Sequence, residues 1–436
     1  AYKDSGIEWI GQVPEHWKIA QIKRISALNP RKSTLSEEKD SLCTFLPMEK
    51  LRTNAVTLDE TRPIHEVYGG YSYFCDGDIL IAKVTPCFEN GNIAIANGLV
   101  NGIGFGSTEI NVLRVNGKGH NRFLYYRLQE EQFRTIAKSE MRGTGGLKRV
   151  PTDLFESFTI GLPDTDEQAT IAATLDRETA RIDALIEKKN RFVELLKEKR
   201  QGLITHAVTK GLDRNAKMKD SGIEWIGQVP EHWEATKLKH VAAFSGGGTP
   251  SKENPDYWNG CIPWVSPKDM KHEVITDSID HITTKGLENS ATKLIDSGAV
   301  LLVARSGILR HTIPVGINNV PVSLNQDMKA LSLDETRVRP RFILRWVQGL
   351  NRSLLGIWAK EGATVESLEH EYVANTRLPL PDLKEQDAIL ATLDLETARI
   401  DALISKSEQS ITLLKERRAA FITAAVTGQI DLRGKQ

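Results

Sequence analysis

Two short loops concentrate the residues of this 436-residue chain that could do chemistry. One is RGTGGLKRVP, residues 142–151, and the other is EGATVESLEHE, residues 361–371. Gly and Thr let a backbone come close to a phosphate, as in anion-binding nests. Arg142, Lys148 and Arg149 add positive charge, and an arginine fork can read a guanine edge. Thr144 in the first loop, with Lys360 and Thr364 at the second, complete the set. Upstream, Lys83 and Thr85 end a strand-like run and open a polar loop. Arg305, Ser306 and Arg310 take those places in the second half, and Lys268 lies in a further polar stretch. The chemistry is that of contacts to an anionic backbone and to base edges, so these twelve are candidate DNA-binding residues. Each also has a plainer reading, as a solvated or internally paired side chain.

Catalytic signatures are missing. There is no GxxxxGK[ST] phosphate loop, no GxSxG, no HExxH and no EF-hand loop. The chain has no Pro-Pro dipeptide, so it lacks the [ND]PP[YF] tetrapeptide of amino-methyltransferases. Cys43, Cys75, Cys87 and Cys261 form neither a CxxC pair nor a zinc-like cluster, and they read as reduced, buried thiols. No catalytic residue and no metal site is expected, and the residues describe a binding scaffold.

The scaffold is built from repeats. Residues 3–17, KDSGIEWIGQVPEHW, recur unchanged as residues 219–233, and TLDRETARIDALI (174–186) returns as TLDLETARIDALI (392–404). A period this long means duplicated domains rather than a solenoid. The blocks between, 18–163 and 234–381, look unrelated: the first has no tryptophan and the second has Trp258, Trp264, Trp346 and Trp358. A fixed frame carrying two different inserts suits a reader of two different targets. Trp9, Trp17, Trp225 and Trp233 in the short motif read as packing anchors.

The second repeat opens a helix of about 40 residues, roughly 60 Å long. Pro163 and Pro381 precede it, and Gly211 and Gly428 follow it, where helices start and stop. Apolar residues recur at heptad spacing: Leu175, Ile182, Leu185, Phe192 and Leu196 in the first copy, and Leu393, Ile400, Leu403 and Leu414 in the second. These are the expected helix-pairing residues of two antiparallel helices. By pseudo-symmetry the first short motif should lie beside the end of the second helix. Each block reads as mixed α/β, with strands near 77–84 and 109–115, or 298–307 and 329–334. An amphipathic helix then follows in each, 120–138 or 339–360. The fold class is therefore α/β (mixed α+β), two domains per chain separated by two long coiled-coil helices, with an internal pseudo-two-fold repeat.

Formal net charge is zero, from 57 basic and 57 acidic residues, so any nucleic-acid face must come from local segregation of charge. No apolar run is long enough to span a membrane, and the first residues lack a signal pattern, which points to the cytoplasm.

Three features together carry a family resemblance. They are the repeated GIEWIGQVPEHW, the GGGTPS…YWNGCIPWVSPKDM stretch (246–270), and LPLPDLKEQ–ATLD–ETARIDALI leading into a long helix. The chain resembles the specificity subunit of type I restriction–modification systems over essentially its whole length. The resemblance implies a target-recognition domain at 18–163 and another at 234–381, each reading one half of a bipartite, asymmetric double-stranded DNA sequence. It makes 164–217 the central and 382–436 the distal conserved helix, with repeat motifs at 1–17 and 218–233. The helices would fix the spacer and dock two methyltransferase subunits, joined by motor–nuclease restriction subunits. S-adenosylmethionine, ATP and Mg would belong to those partners and no cofactor to this chain. The first block departs from the pattern, having LCTFLPMEKL (42–51) in place of GGTPS…YWNG. Other readings remain: a single-chain nuclease or methyltransferase, the same scaffold serving a two-component machine, or a coiled-coil adaptor without a DNA role.

Overall fold

A computed structural model describes residues 1–35, 38, 40–144, 146–360 and 365–433. The chain divides into two compact units, Ala1–Asn190 with Gln409–Gln436, and Arg191–Glu408. Each takes part of both long helices, Thr165–Lys210 and Leu383–Val426.

In the first unit, Ile79–Ala82 is flanked by Ile93–Ile95 and Ile110–Val115, with Ser26–Leu28 at the edge, all antiparallel. Ile79, Leu80, Ile81 and Ala82 are all buried, as the unbroken apolar run requires of a strand covered on both faces. A second sheet has the order Thr61–Pro63, Leu42–Leu46, Ile103–Gly106, Ser72–Cys75. The second unit repeats the plan: Val300–Val303 sits between Met328–Leu333 and Val315–Asn318, beside a small sheet centred on Trp258–Val265. The parallel pairing of Leu42–Leu46 with Ile103–Gly106 matches that of Trp258–Val265 with Ser323–Leu324. LCTFLPMEKL is thus the topological counterpart of CIPWVSPKDM, although the two share almost no residues.

The amphipathic stretch expected as one helix is two in each block: Asn121–Arg127 and Glu131–Ser139, then Pro340–Gly349 and Asn351–Trp358. In the first block the break is made by Glu130, whose carboxylate caps the next helix through the Gln132 and Phe133 amides. Glu130 also pairs at 2.7 Å with Arg127, and both side chains are fully buried.

The frame makes the same contacts twice. Asp164 caps one long helix through the Glu167 amide at 2.9 Å, and Asp382 the other through Glu385 at 2.8 Å. Buried Gln168 donates to the carbonyls of Pro163 and Lys118 and accepts from the His120 amide. Gln386 does the same with Pro381, Arg337 and Arg339. Gly428, at φ +75°, ends the second helix where a Cβ would lie 2.5 Å from Pro14. The Tyr2 hydroxyl donates to the Gly428 carbonyl at 3.0 Å, so the first motif closes on the second helix's end. Trp17 and Trp233 are buried anchors, whereas Trp9 is 43% exposed and lies against Phe158. Of the cysteines, Cys43 is buried and Cys261 is exposed.

Inside each unit the helix segments run antiparallel. Asp183 pairs with Arg418 in the first and Asp401 with Arg200 in the second, both at 2.9 Å. Leu175, Ile182, Leu196, Leu393 and Ile400 are buried and Leu414 is half-buried. Leu185, Phe192 and Leu403 are not: they are 41%, 46% and 45% exposed. The buried stripe keeps the five buried positions and departs from the expected seam at others, as where Val193 is buried and Phe192 is not. It runs through Thr179, Val193, Thr397, Ser407 and Ile411, several of them polar residues that an apolar count passes over. Thr179 and Thr397 are tolerated there because each hydroxyl donates to the carbonyl four residues back, at 2.6 Å.

Candidate nucleic-acid interface

In the first unit the chain leaving Ile79–Ala82 meets the loop 142–150. The Val150 amide donates to the Lys83 carbonyl at 2.8 Å, and Thr85 and Lys148 exchange hydrogen bonds through the Thr85 amide and hydroxyl. Arg142 and Arg149 pair backbone to backbone across the loop, and Arg149 also bridges Val84. Gly143, at φ +139°, leaves no room for a side chain, since a Cβ would lie 2.4 Å from the Leu147 carbonyl. One patch therefore gathers Lys83, Thr85, Arg142, Thr144, Lys148 and Arg149. Lys148 has no carboxylate partner among the described residues, and Arg142 is only 3.8 Å from Glu140 while 77% exposed. Arg149 is held by Glu109 through Nε at 2.9 Å and Nη2 at 2.7 Å. Those hydrogen bonds keep the Glu109 carboxyl below its usual range.

The second unit builds the corresponding ladder from other residues. The Leu368 amide donates to the Ala304 carbonyl at 2.8 Å, the Ser306 amide to Glu366, and the Lys360 amide to Ser367. Arg305 bridges Ser367 and pairs with Asp327 at 2.6 Å. Beside it lies a groove of about 800 Å³ lined by Thr249, Lys252, Trp258, Lys268, Arg305, Ser306 and Gln326. The GGGTPS loop contributes Thr249 to its lining. A Cβ on Gly247 would fall 2.0 Å from the Asn325 carbonyl, and the Trp264 indole donates to the Gly248 carbonyl at 2.9 Å. Thr249 donates to Gln326 across the groove.

Arg310 and Lys360 stand apart from that groove. Arg310 is tied to Glu366 at 2.6 Å and faces another cleft with His311 and Arg352, and Lys360 lies 3.6 Å from Glu369. Thr364 lies outside the described residues. Sequence reasoning missed Glu109, Asp327, Lys252, Thr249 and Gln326. The two carboxylates had a signal, since each immediately precedes the last strand of its main sheet, Ile110–Val115 or Met328–Leu333. Among the described residues, no group of three or more His, Cys, Asp or Glu could hold a metal ion, and no helix is long and apolar enough to cross a membrane.

Comparison with known proteins agrees with this duplicated plan. The family profile described as the type I restriction modification DNA specificity domain matches twice, over residues 14–195 and 230–413. The specificity subunit of the type I restriction enzyme EcoR124I/EcoR124II from Escherichia coli is 31% identical over 225 residues, 51% of this chain. The chain spans about half of that relative, 48% of its length. The putative type I restriction enzyme MjaX specificity subunit of Methanocaldococcus jannaschii is 22% identical, over 97% of this chain and 96% of that one. A chain from a structure titled for complex assembly and conformational transition of the type I R-M system shares the fold. It has a TM-score of 0.77 at 18% identity, covering 96% of this chain and 99% of that one.

Proposed function

Because the chain belongs to the family of type I restriction–modification DNA specificity proteins, we propose that it reads a bipartite, asymmetric double-stranded DNA target, one half per variable block. Residues 18–163 and 234–381 act as the two target-recognition domains. The observation that carries this is the repeated ladder: unrelated sequences lay a terminal loop against the same strand exit in both units, with an arginine held there beside a carboxylate. Phosphate contacts would set the register and base contacts the specificity. The net charge of zero fits a reader whose partners supply part of the electrostatic affinity.

The helices at 164–217 and 382–436 act as a spacer-setting frame, with the motifs 1–17 and 218–233 closing it. Leu185, Phe192, Leu195 and Leu403 leave apolar surface on these helices, which suits docking of two methyltransferase subunits. Motor–nuclease subunits complete the restriction complex. The chain is non-catalytic and works in the cytoplasm; S-adenosylmethionine, ATP and Mg serve the partner subunits.

Modified-base sequencing of DNA from cells co-expressing the chain with its methyltransferase tests this reading. The expected result is one split motif with methyl-adenine in each half and a fixed gap. Replacing residues 18–163 by another block should change one half only, and a change in both halves would refute modular reading.

A further inference from the structure

Resting on that reading, a finer assignment follows from how the two ladders differ. The carboxylate stays in place. Glu109 accepts the Lys83 amide on its carbonyl at 3.0 Å, and Asp327 accepts the Ala304 and Arg305 amides at 2.7 and 3.1 Å. The arginine does not stay. In the first unit the bridge is Val84 with Arg149, so the arginine comes from the terminal loop. In the second it is Arg305 with Ser367, and the arginine comes from the strand exit. The guanidinium has changed sides of one β-bridge and still meets the carboxylate beside the last strand.

An exposed ion pair contributes little to stability, so stability alone gives no reason to rebuild it from the other side. Both arginines are about half exposed, 48% for Arg149 and 51% for Arg305. Glu109 takes the Nε and Nη2 edge of Arg149, and Asp327 takes Nε of Arg305. The far end of each fork keeps N–H donors on both Nη atoms. Two such donors match the O6 and N7 acceptors of guanine in the major groove. Fixing the side chain before DNA arrives also lowers the ordering cost of binding.

We propose that Arg149 and Arg305 are the specificity-determining residues of their blocks, each reading a guanine, and that Glu109 and Asp327 are the positioning residues that present them.

The test uses the full chain in complex with its methyltransferase subunits. Methyl-adenine is mapped, and binding is measured against targets substituted at every position. Arg149→Lys and Glu109→Gln should each relax one G·C pair in one half-site, and Arg305→Lys and Asp327→Asn one pair in the other. Discrimination at that pair should fall on the order of tenfold to a hundredfold. Lysine keeps the charge and loses the fork. A phosphate-only role would therefore leave base preference intact in the lysine variants and overturn the assignment. A merely structural ion pair would lower the thermal midpoint of Glu109→Gln without moving its target, which also overturns it. Wild-type preference retained in all four variants sinks this assignment alone. A wild-type complex without base preference sinks the reading of function beneath it.

Discussion

The frame and the blocks were duplicated together and differ in what they retain. In the frame, many contacts repeat residue for residue. His16 meets Glu167 and His232 meets Glu385, both at 2.8 Å, and Asp183–Arg418 and Asp401–Arg200 repeat at 2.9 Å. In the blocks, strand order and the parallel pair survive while side chains do not: Phe45 stands where Trp264 stands, facing Phe105 in one unit and Ser323 in the other. Backbone topology needs only apolar and β-prone residues at the right period, so it tolerates replacement of nearly every residue. The directed polar contacts of the frame do not, since each needs a particular donor and acceptor.

The strongest test of the copied frame is its buried tryptophans. Trp17→Ala and Trp233→Ala should each cost about 3–5 kcal/mol, the usual range for emptying a buried aromatic site. Hydrogen exchange should rise first in the local ladder, Lys18–Gln21 with Thr159–Leu162 or Glu234–Lys237 with Arg377–Leu380. A loss confined to one of the two variants would break the equivalence.

The stripe on the long helices comes next. Leu175→Ala, at a fully buried site, should cost about 2–5 kcal/mol by chemical denaturation. Leu185→Ala, ten residues on, should cost well under about 1 kcal/mol. If Leu185 proves the costlier position, the expected seam is packed at that residue after all.

Much of the architecture was legible because it rests on period and punctuation. The repeats gave the duplication, Pro163 and Gly211 bracketed the helix Thr165–Lys210, and Ile79–Ala82 stood out as an apolar run. The seam was misread in part, at Leu185, Phe192 and Leu403, because Thr179 and Ser407 are buried while Phe192 is not, and periodicity counts only apolar size. The grouping of residues 83–85 with 142–149 was legible only as two separate loops. What joins them is a bridge between residues 65 apart, Val84 and Arg149, with no local signature. The helix break at Glu130 was hidden because a buried glutamate is unusual, and here only its capping contacts and Arg127 make it acceptable.

Where frame meets block, Gln168 is the sharper probe. Gln168→Ala leaves the His120 amide and the Pro163 carbonyl without their partner, at a cost of about 1–3 kcal/mol. Gln386→Ala should cost the same despite the different block above it, because it bonds the equivalent backbone groups. Equal thermal shifts would place this contact in the frame, and unequal shifts would assign it to the blocks.

The smallest effect concerns the block ends. The hydrogen bonds from Arg149 favour the charged form of Glu109, so its folded pKa lies below that of the unfolded chain. The sign follows from linkage. The contact is fully present above the ordinary glutamate range, near about 4.3, and is lost as pH falls through the lower folded value. In carboxyl-labelled full-length protein, the Glu109 titration should therefore sit below the ordinary range and move upward in Arg149→Ala. No movement would mean that the ion pair does not persist in solution, and the arginine would then meet DNA unrestrained. In the second unit, the Arg305–Asp327 pair is formed by the other side of the bridge. Losing the first pair alone would confine presentation of the arginine to that block.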